Sequence, residues 1–183
     1  MKKKVLSIVA VVLVLCCAIG GTLAWLTDKT DPVVNTFTVG DINIDLDESE
    51  NLDLKMVPGK TITKDPKATV KAGSEACWLF VKVDKSKNFD GFMSYVMADG
   101  WTQGDGKDIP DNVFYREVPA TTADTSFDVL KNNQVQVLGT VTKTQMENIK
   151  SGTIAAPTLT FTAYAVQKDN ITSAATAWAE AIR

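Results

Sequence analysis

The residues whose types and spacing could do chemistry are acids. Asp99, Asp105, Asp108 and Asp111 sit in the glycine-rich run Asp99-Gly-Trp-Thr-Gln-Gly-Asp105-Gly-Lys-Asp108-Ile-Pro-Asp111-Asn112, and Asp45, Asp47, Glu48, Glu50 and Asp53 form an acidic run upstream. Oxygen ligands at such spacing suit calcium, yet Asp and Gly are also the ordinary residues of turns, and the calcium-hand register with its distal glutamate is absent. Two readings therefore stand for the Asp99–Asp111 run, a calcium loop or a chain of turns; the acidic run reads as a solvated loop. The chain contains no histidine. That removes the zinc-protease helix motif, the Ser-His and Cys-His nucleophile pairs and imidazole acid–base catalysis together. There is no G-x-S-x-G elbow and no phosphate-cradling glycine loop. A carboxylate pair about 5 to 9.5 Å apart could in principle cleave glycosides, but nothing singles one out. No catalytic residue, metal ligand or cofactor is assigned, and the chain is read as a non-enzyme.

The elements that would position any site are strands. Leu159, Phe161, Ala163 and Ala165 alternate with Thr158, Thr160, Thr162 and Tyr164, the period of a half-buried strand within 157–167. Cys77, Leu79, Val81 and Val83 alternate with Trp78, Phe80, Lys82 and Asp84, which puts the Cys77 thiol on the apolar face as a small buried group. Shorter strands are expected at 68–71, 113–118, 127–130 and 134–138. Many short strands between turn-rich segments predict an all-β, jelly-roll-like sandwich with a few short peripheral helices. The helices are expected at Phe89, Phe92, Met93 and Val96, which keep helical spacing, after a capping box at Thr142 or Thr144, closed by Gly152, and at the C-terminal Ala174, Trp178, Ala181 and Ile182 after a cap at Ser173.

The N-terminus carries an export signal. Lys2, Lys3 and Lys4 precede an uncharged, almost wholly apolar stretch from Val5 to Ile19, then Gly20-Gly21 and the small-residue site Thr22-Leu23-Ala24. Cleavage is expected between Ala24 and Trp25. An uncleaved membrane anchor is the alternative, since Val5 to Leu26 approaches the length that crosses a bilayer of roughly 30 Å. Residues 1–24 are thus assigned as signal peptide and 25–183 as one sandwich domain. Cleavage removes three lysines and no acid, leaving 16 basic against 22 acidic residues, a net charge of −6. That sign disfavours nucleic acid and anionic lipid as partners. Only Cys77 remains, so no internal disulfide holds the domain. With no second apolar span and no wall-sorting sequence before Arg183, the product is expected to be secreted or held at the cell surface by what it binds.

Downstream of the cleavage site the alternation changes face. Phe37 and Val39 are apolar at odd positions, whereas Ile42, Ile44 and Leu46 are apolar at even ones. A one-residue slip turns every side chain over, so the chain must bend or bulge at Gly40-Asp41, giving two separable strands over about 33–39 and 41–47.

The run Ile19-Gly-Gly-Thr-Leu-Ala-Trp-Leu-Thr-Asp28 followed by Asn35-Thr-Phe-Thr-Val-Gly-Asp-Ile42 resembles the N-terminus of the TasA/camelysin family, and Pro157 to Asn170 with Ala174-Ala175 and Ala177-Trp178 resembles its C-terminal strand and helix. The resemblance implies a jelly-roll sandwich, a signal handled by a dedicated SipW-like signal peptidase in a Gram-positive type of cell, and assembly into extracellular fibres of a biofilm matrix. Camelysin-type relatives are also labelled zinc metallopeptidases, a label that a chain without histidine does not support with the usual ligands. The first expectation is therefore a secreted fibre subunit whose partners are its own copies, with other matrix proteins or polysaccharide as further candidates. Residues 25–39, carrying Trp25, Val33, Val34, Phe37 and Val39 and hinged at Gly40, would be an arm donated as a strand to the next subunit. The alternatives are a non-assembling surface adhesin or polysaccharide-binding protein, with Trp25, Trp101 and Tyr115 as stacking platforms, and last a camelysin-like protease.

Overall fold

Among the described residues, ten strands, two helices and one 3-10 turn follow from these patterns. The strands are β1 (Ile44–Asp47), β2 (Thr61–Thr63), β3 (Lys67–Val70), β4 (Cys77–Lys85), β5 (Met93–Met97), β6 (Thr102–Gln103), β7 (Val113–Val118), β8 (Thr125–Asp128), β9 (Leu130–Val137) and β10 (Leu159–Gln167). The helices are α1 (Lys143–Lys150) and α2 (Ala174–Ala181). The structure is a computed structural model that describes residues 41–49 and 55–183. The described residues fall within one compact unit, Val39–Arg183.

All pairings are antiparallel, in the orders β1-β3-β8, β2-β9-β5 and β10-β4-β7-β6. The first two sheets are one layer bent in the middle. β2 continues through Lys64–Pro66 into β3, and β8 continues through Val129 into β9. Across the bend Lys64 N donates to Asn133 O at 2.9 Å and Val129 N donates to Pro66 O at 3.0 Å, so the backbone stays satisfied where the ladder breaks. The bend is made by Pro66, which lacks a donor, and by Asn132 and Asn133, whose φ of 55° and 53° lie in the left-handed region that asparagine tolerates better than most residues. The β5–β9 register shifts at the same place, between Tyr95 and Met97, where residues of β9 bulge out.

The bent layer packs on β10-β4-β7-β6 to make an all-β sandwich. Cys77, Leu79, Val81 and Val83 of β4 meet Ala68 and Val70 of β3 in the interior, with Ile44 and Leu46 packed at its margin. The opposite face of β4 is buried as well: Phe80 and Tyr164 each lie 5.3 Å from the ring of Trp178 on α2, and Trp78 Nε1 donates to Ile171 O at 3.1 Å. A strand covered on both faces reads as a nearly continuous apolar run, as β4 does. α2 starts where Ser173 Oγ accepts from Thr176 N at 3.2 Å. α1 starts at Thr142, whose Oγ1 accepts from Gln145 N while Thr142 N donates to Gln145 Oε1, so Thr142 and not Thr144 is the cap.

One expected helix is replaced by strand. Phe89–Gly91 is a single 3-10 turn and Met93–Met97 is β5. The spacing of Phe89 and Phe92 reflects a turn that sinks both rings into the interior of the second sheet, after which Met93, Tyr95 and Met97 alternate inward. Val96, which helical spacing would bury, is 62% exposed. The expected strand over 127–130 is two strands divided at Val129. β2 and β6 are too short to carry a period. Of the two N-terminal strands expected, the second is β1, with Ile42, Ile44 and Leu46 turned toward the interior; the first, and the turnover at Gly40, lie outside the described residues.

Candidate functional site

A sandwich has two open sides, and this one treats them differently. On the side of β6 and β8 the interior is plugged. Arg116, an inward-facing residue of β7, stacks its guanidinium on Phe127 at 3.9 Å and on Trp101 at 5.4 Å, and Trp101 Nε1 donates to Asp128 O at 2.9 Å. An inward-pointing charge at a sheet edge is one of the devices that discourages edge pairing.

On the side of β1 and β10 the margin is apolar among the described residues, with Lys64 at its rim. Among the described residues the nine-residue β10 pairs on one side only, with β4, from Leu159 opposite Lys85 to Gln167 opposite Cys77. β1 covers β3 but stops at Asp47, leaving β2 with its only described partner in β9. Between the start of β10 and the β2 edge lies an apolar groove of about 350 Å³, lined by Ile62, Phe89, Met93, Val135 and Leu159 among others. A second depression, about 250 Å³, continues it past Leu46, Pro66, Leu159 and Phe161. Lys64 stands where the two meet: its Nζ bonds Glu48 Oε1 at 2.6 Å and sits 5.6 Å from the ring centre of Phe161. Ser49 N and Oγ both donate to the Asp65 carboxylate, and these bonds from Ser49 hold its pKa below the usual carboxylate range. The end of β1 is thus tied to the rim of the groove.

The arm residues assigned from sequence, Trp25, Val33, Val34, Phe37, Val39 and Gly40, and the cleavage pair Ala24 and Trp25, lie outside the described residues. The groove residues are those the sequence did not single out. Leu159 and Phe161 are legible as one face of a strand, but nothing local says that the strand lacks a neighbour.

The aspartate loop is built as turns. Asp105 Oδ1 accepts from the backbone N of Lys107, Asp108 and Ile109 at 3.0, 2.9 and 3.0 Å, and these bonds, the one from Ile109 foremost, lower its pKa. Asp99 lies 3.6 Å from Lys131. In the acidic run Asp45 pairs with Lys71 at 2.8 Å and Glu48 with Lys64. Trp101 and Tyr115 are half-buried: Trp101 has Arg116 on its face, and Tyr115 packs 6.1 Å from Trp78 and 6.0 Å from Phe80. Cys77 is fully buried, and burial pushes its thiol up to about 11.

These β-layers and grooves define the class, an all-β sandwich with one plugged and one open side. Residues 1–76 match the family model described as camelysin metallo-endopeptidase. That match agrees with the resemblance of the N-terminal run to the TasA/camelysin family. No curated protein and no solved structure matches the chain. The metal that the family description implies does not fit the donors present. There is no histidine, the Cys77 thiol is buried and protonated, and among the described residues no three of His, Cys, Asp or Glu converge as a metal site.

Proposed function

We propose that the protein is a secreted structural subunit that assembles head-to-tail into extracellular matrix fibres, the N-terminal segment of one copy adding as a strand beside β10 of the next. The observation that carries this reading is the edge of β10, which has no partner among the described residues and lies beside an apolar groove with Lys64 paired to Glu48 at its rim. Strand addition supplies main-chain hydrogen bonds to such an edge and side-chain pockets alternate along it. Val33, Val34, Phe37 and Val39 are apolar residues of the kind those grooves would take. Length is adequate: the 16 residues 25–40 reach about 50 Å fully extended, against about 30 Å for nine residues of β10. Because donor and acceptor are different surfaces, the contact is head-to-tail, and it propagates as a filament when the rotation between copies does not close a ring. Export through the N-terminal signal, cleaved after Ala24, places the product outside the cell, and the chain's part there is structural, with no proteolytic activity of its own.

The deciding experiment compares protein beginning at Trp25 with protein beginning at Gly40 by electron microscopy and thermal unfolding. The fibre reading expects filaments from the first and a folded, non-polymerising monomer from the second. Filaments from the truncated protein would overturn the arm's role, and its failure to fold would make residues 25–39 a strand of their own sandwich. Chelator-sensitive cleavage of casein by the purified protein would restore the protease reading.

A further inference from the structure

The outward face of the β2-β9-β5 sheet carries uncharged polar side chains in its paired rows. Its cross-strand rows are Thr61–Gln136–Ser94 and Thr63–Gln134, and Val96, where the β5–β9 register shifts, is exposed two residues beyond Ser94 on β5. Every one of these side chains is uncharged, in a chain where 22% of residues are charged. The side chains of Thr61, Ser94, Gln134 and Gln136 make no hydrogen bond among the described residues. Amides and hydroxyls are thus offered outward without partners, around the 62% exposed Val96.

This face is not flat. The bulge in β9, held by the left-handed Asn132 and Asn133, raises a wall beside it, and with Lys131 at the rim it encloses a depression of about 170 Å³ over Ser94, Gln134 and Gln136. Pockets that swallow a whole small molecule run to about 300–1,000 Å³. A depression half that size suits one unit of a longer chain lying across the sheet.

We propose that this depression is a binding site for a neutral, hydroxyl-rich polysaccharide. Glutamine amides and threonine and serine hydroxyls both donate and accept, which matches the hydroxyls of a sugar, and the exposed Val96 offers an apolar contact to a ring's C–H face. An anionic polymer gains little here: among the described residues Lys131 is the one cation lining the depression, and the chain is acidic. The site lies on the outer face of the bent layer, away from the β10 groove, so it does not depend on fibre assembly.

The test is affinity electrophoresis of the protein beginning at Trp25 in native gels containing dextran, laminarin or soluble galactomannan, beside a gel containing alginate. Retardation by at least one neutral polymer, and none by alginate, is expected. In the double variant Gln134→Glu, Gln136→Glu two carboxylates replace the amides, and the apparent affinity should fall at least tenfold; Thr144→Glu on α1 should leave it unchanged. Both variants are checked by thermal unfolding, and Gln136→Ala serves if the double variant unfolds early. Amide-side-chain NMR signals of Gln134 and Gln136 should shift on titration with the retarding polymer. No retardation by any of the three neutral polymers, equal retardation by alginate, or full binding by the folded double variant would each overturn the proposal.

Discussion

The guanidinium of Arg116 lies 3.9 Å from the centre of the Phe127 ring, joining an inward-facing residue of one layer to an inward-facing residue of the other. The contact replaces what would otherwise be an apolar margin like that around Leu46, Leu159 and Phe161 on the opposite side. Its Nε is buried without a hydrogen-bond partner, and burial lowers the Arg116 pKa, so the group is held by stacking and not by a carboxylate. The two open sides of the sandwich thereby become distinct: at one a guanidinium is stacked in the interior, and at the other Lys64 is drawn to Glu48 at the rim of an apolar groove, beside the nine-residue edge of β10 that has no partner among the described residues.

Replacing Arg116 with Ala should cost about 1–2 kcal/mol, from the lost cation–π contact and the stem packing beneath it. Arg116→Met should cost less, because it keeps the stem and removes the unpartnered Nε. Urea unfolding of the two variants measures this, and an Ala variant as stable as the parent would show that the stack contributes nothing.

Gly104 is confined by backbone. A Cβ there would stand 2.2 Å from Pro110 O and 2.6 Å from Ile109 O, atoms that cannot swing aside. Gly104→Ala should therefore displace the loop that follows β6 and destabilise by about 1–3 kcal/mol. Thermal unfolding reads the loss; an unchanged melting temperature would mean that the loop relaxes freely.

Asp105 makes that same loop sensitive to acid. Its folded pKa lies below the ordinary 3.8, because three backbone N–H groups favour the ionised form. A depressed carboxylate contributes stability that is fully present above its unfolded pKa and is lost as pH falls through the folded value. Asp105→Asn should then be less stable than the parent at neutral pH, with the gap closing below about pH 4. Melting temperatures of both proteins between pH 2.5 and 7 test it, and a gap independent of pH would refute the charge's part.

Cys77 should be inert in the folded state. With no exposed surface and a thiol pushed up to about 11, it offers neither access nor thiolate near neutral pH. In protein beginning at Trp25, a disulfide reagent at pH 8 should find no thiol until denaturant is added and then one per chain. Rapid labelling without denaturant would show that β4 opens readily.

Local patterns were legible in the sequence because their causes are local. The alternation of β4 and β10, the buried face of Cys77, the Thr142 and Ser173 caps and the turn chemistry around Asp105 each depend on residues within a few positions, and each stands in the structure. The N-terminal run from Ile19 to Ile42 was legible in the same way, and it lies within residues 1–76, the stretch that matches the camelysin family model. Where a local pattern was ambiguous, it misled: Phe89, Phe92 and Met93 fit a helix as well as they fit a turn entering a strand, and only burial against Val135 and Val137 selects the strand.

What the tertiary structure alone decided is who neighbours whom. That β2 and β3 are one strand bent at Pro66, that the distant β8 and β9 bend with them, and that β10 has a partner in β4 and no described partner beyond it are facts about pairs more than sixty residues apart in places. A strand's period shows which face is buried but carries no record of which edge is covered, because edge groups belong to the backbone and are the same for every residue type but proline. The open groove, the plug at Arg116 and the uncharged outer face arise from those long-range pairings, so they became visible only when the layers were assembled.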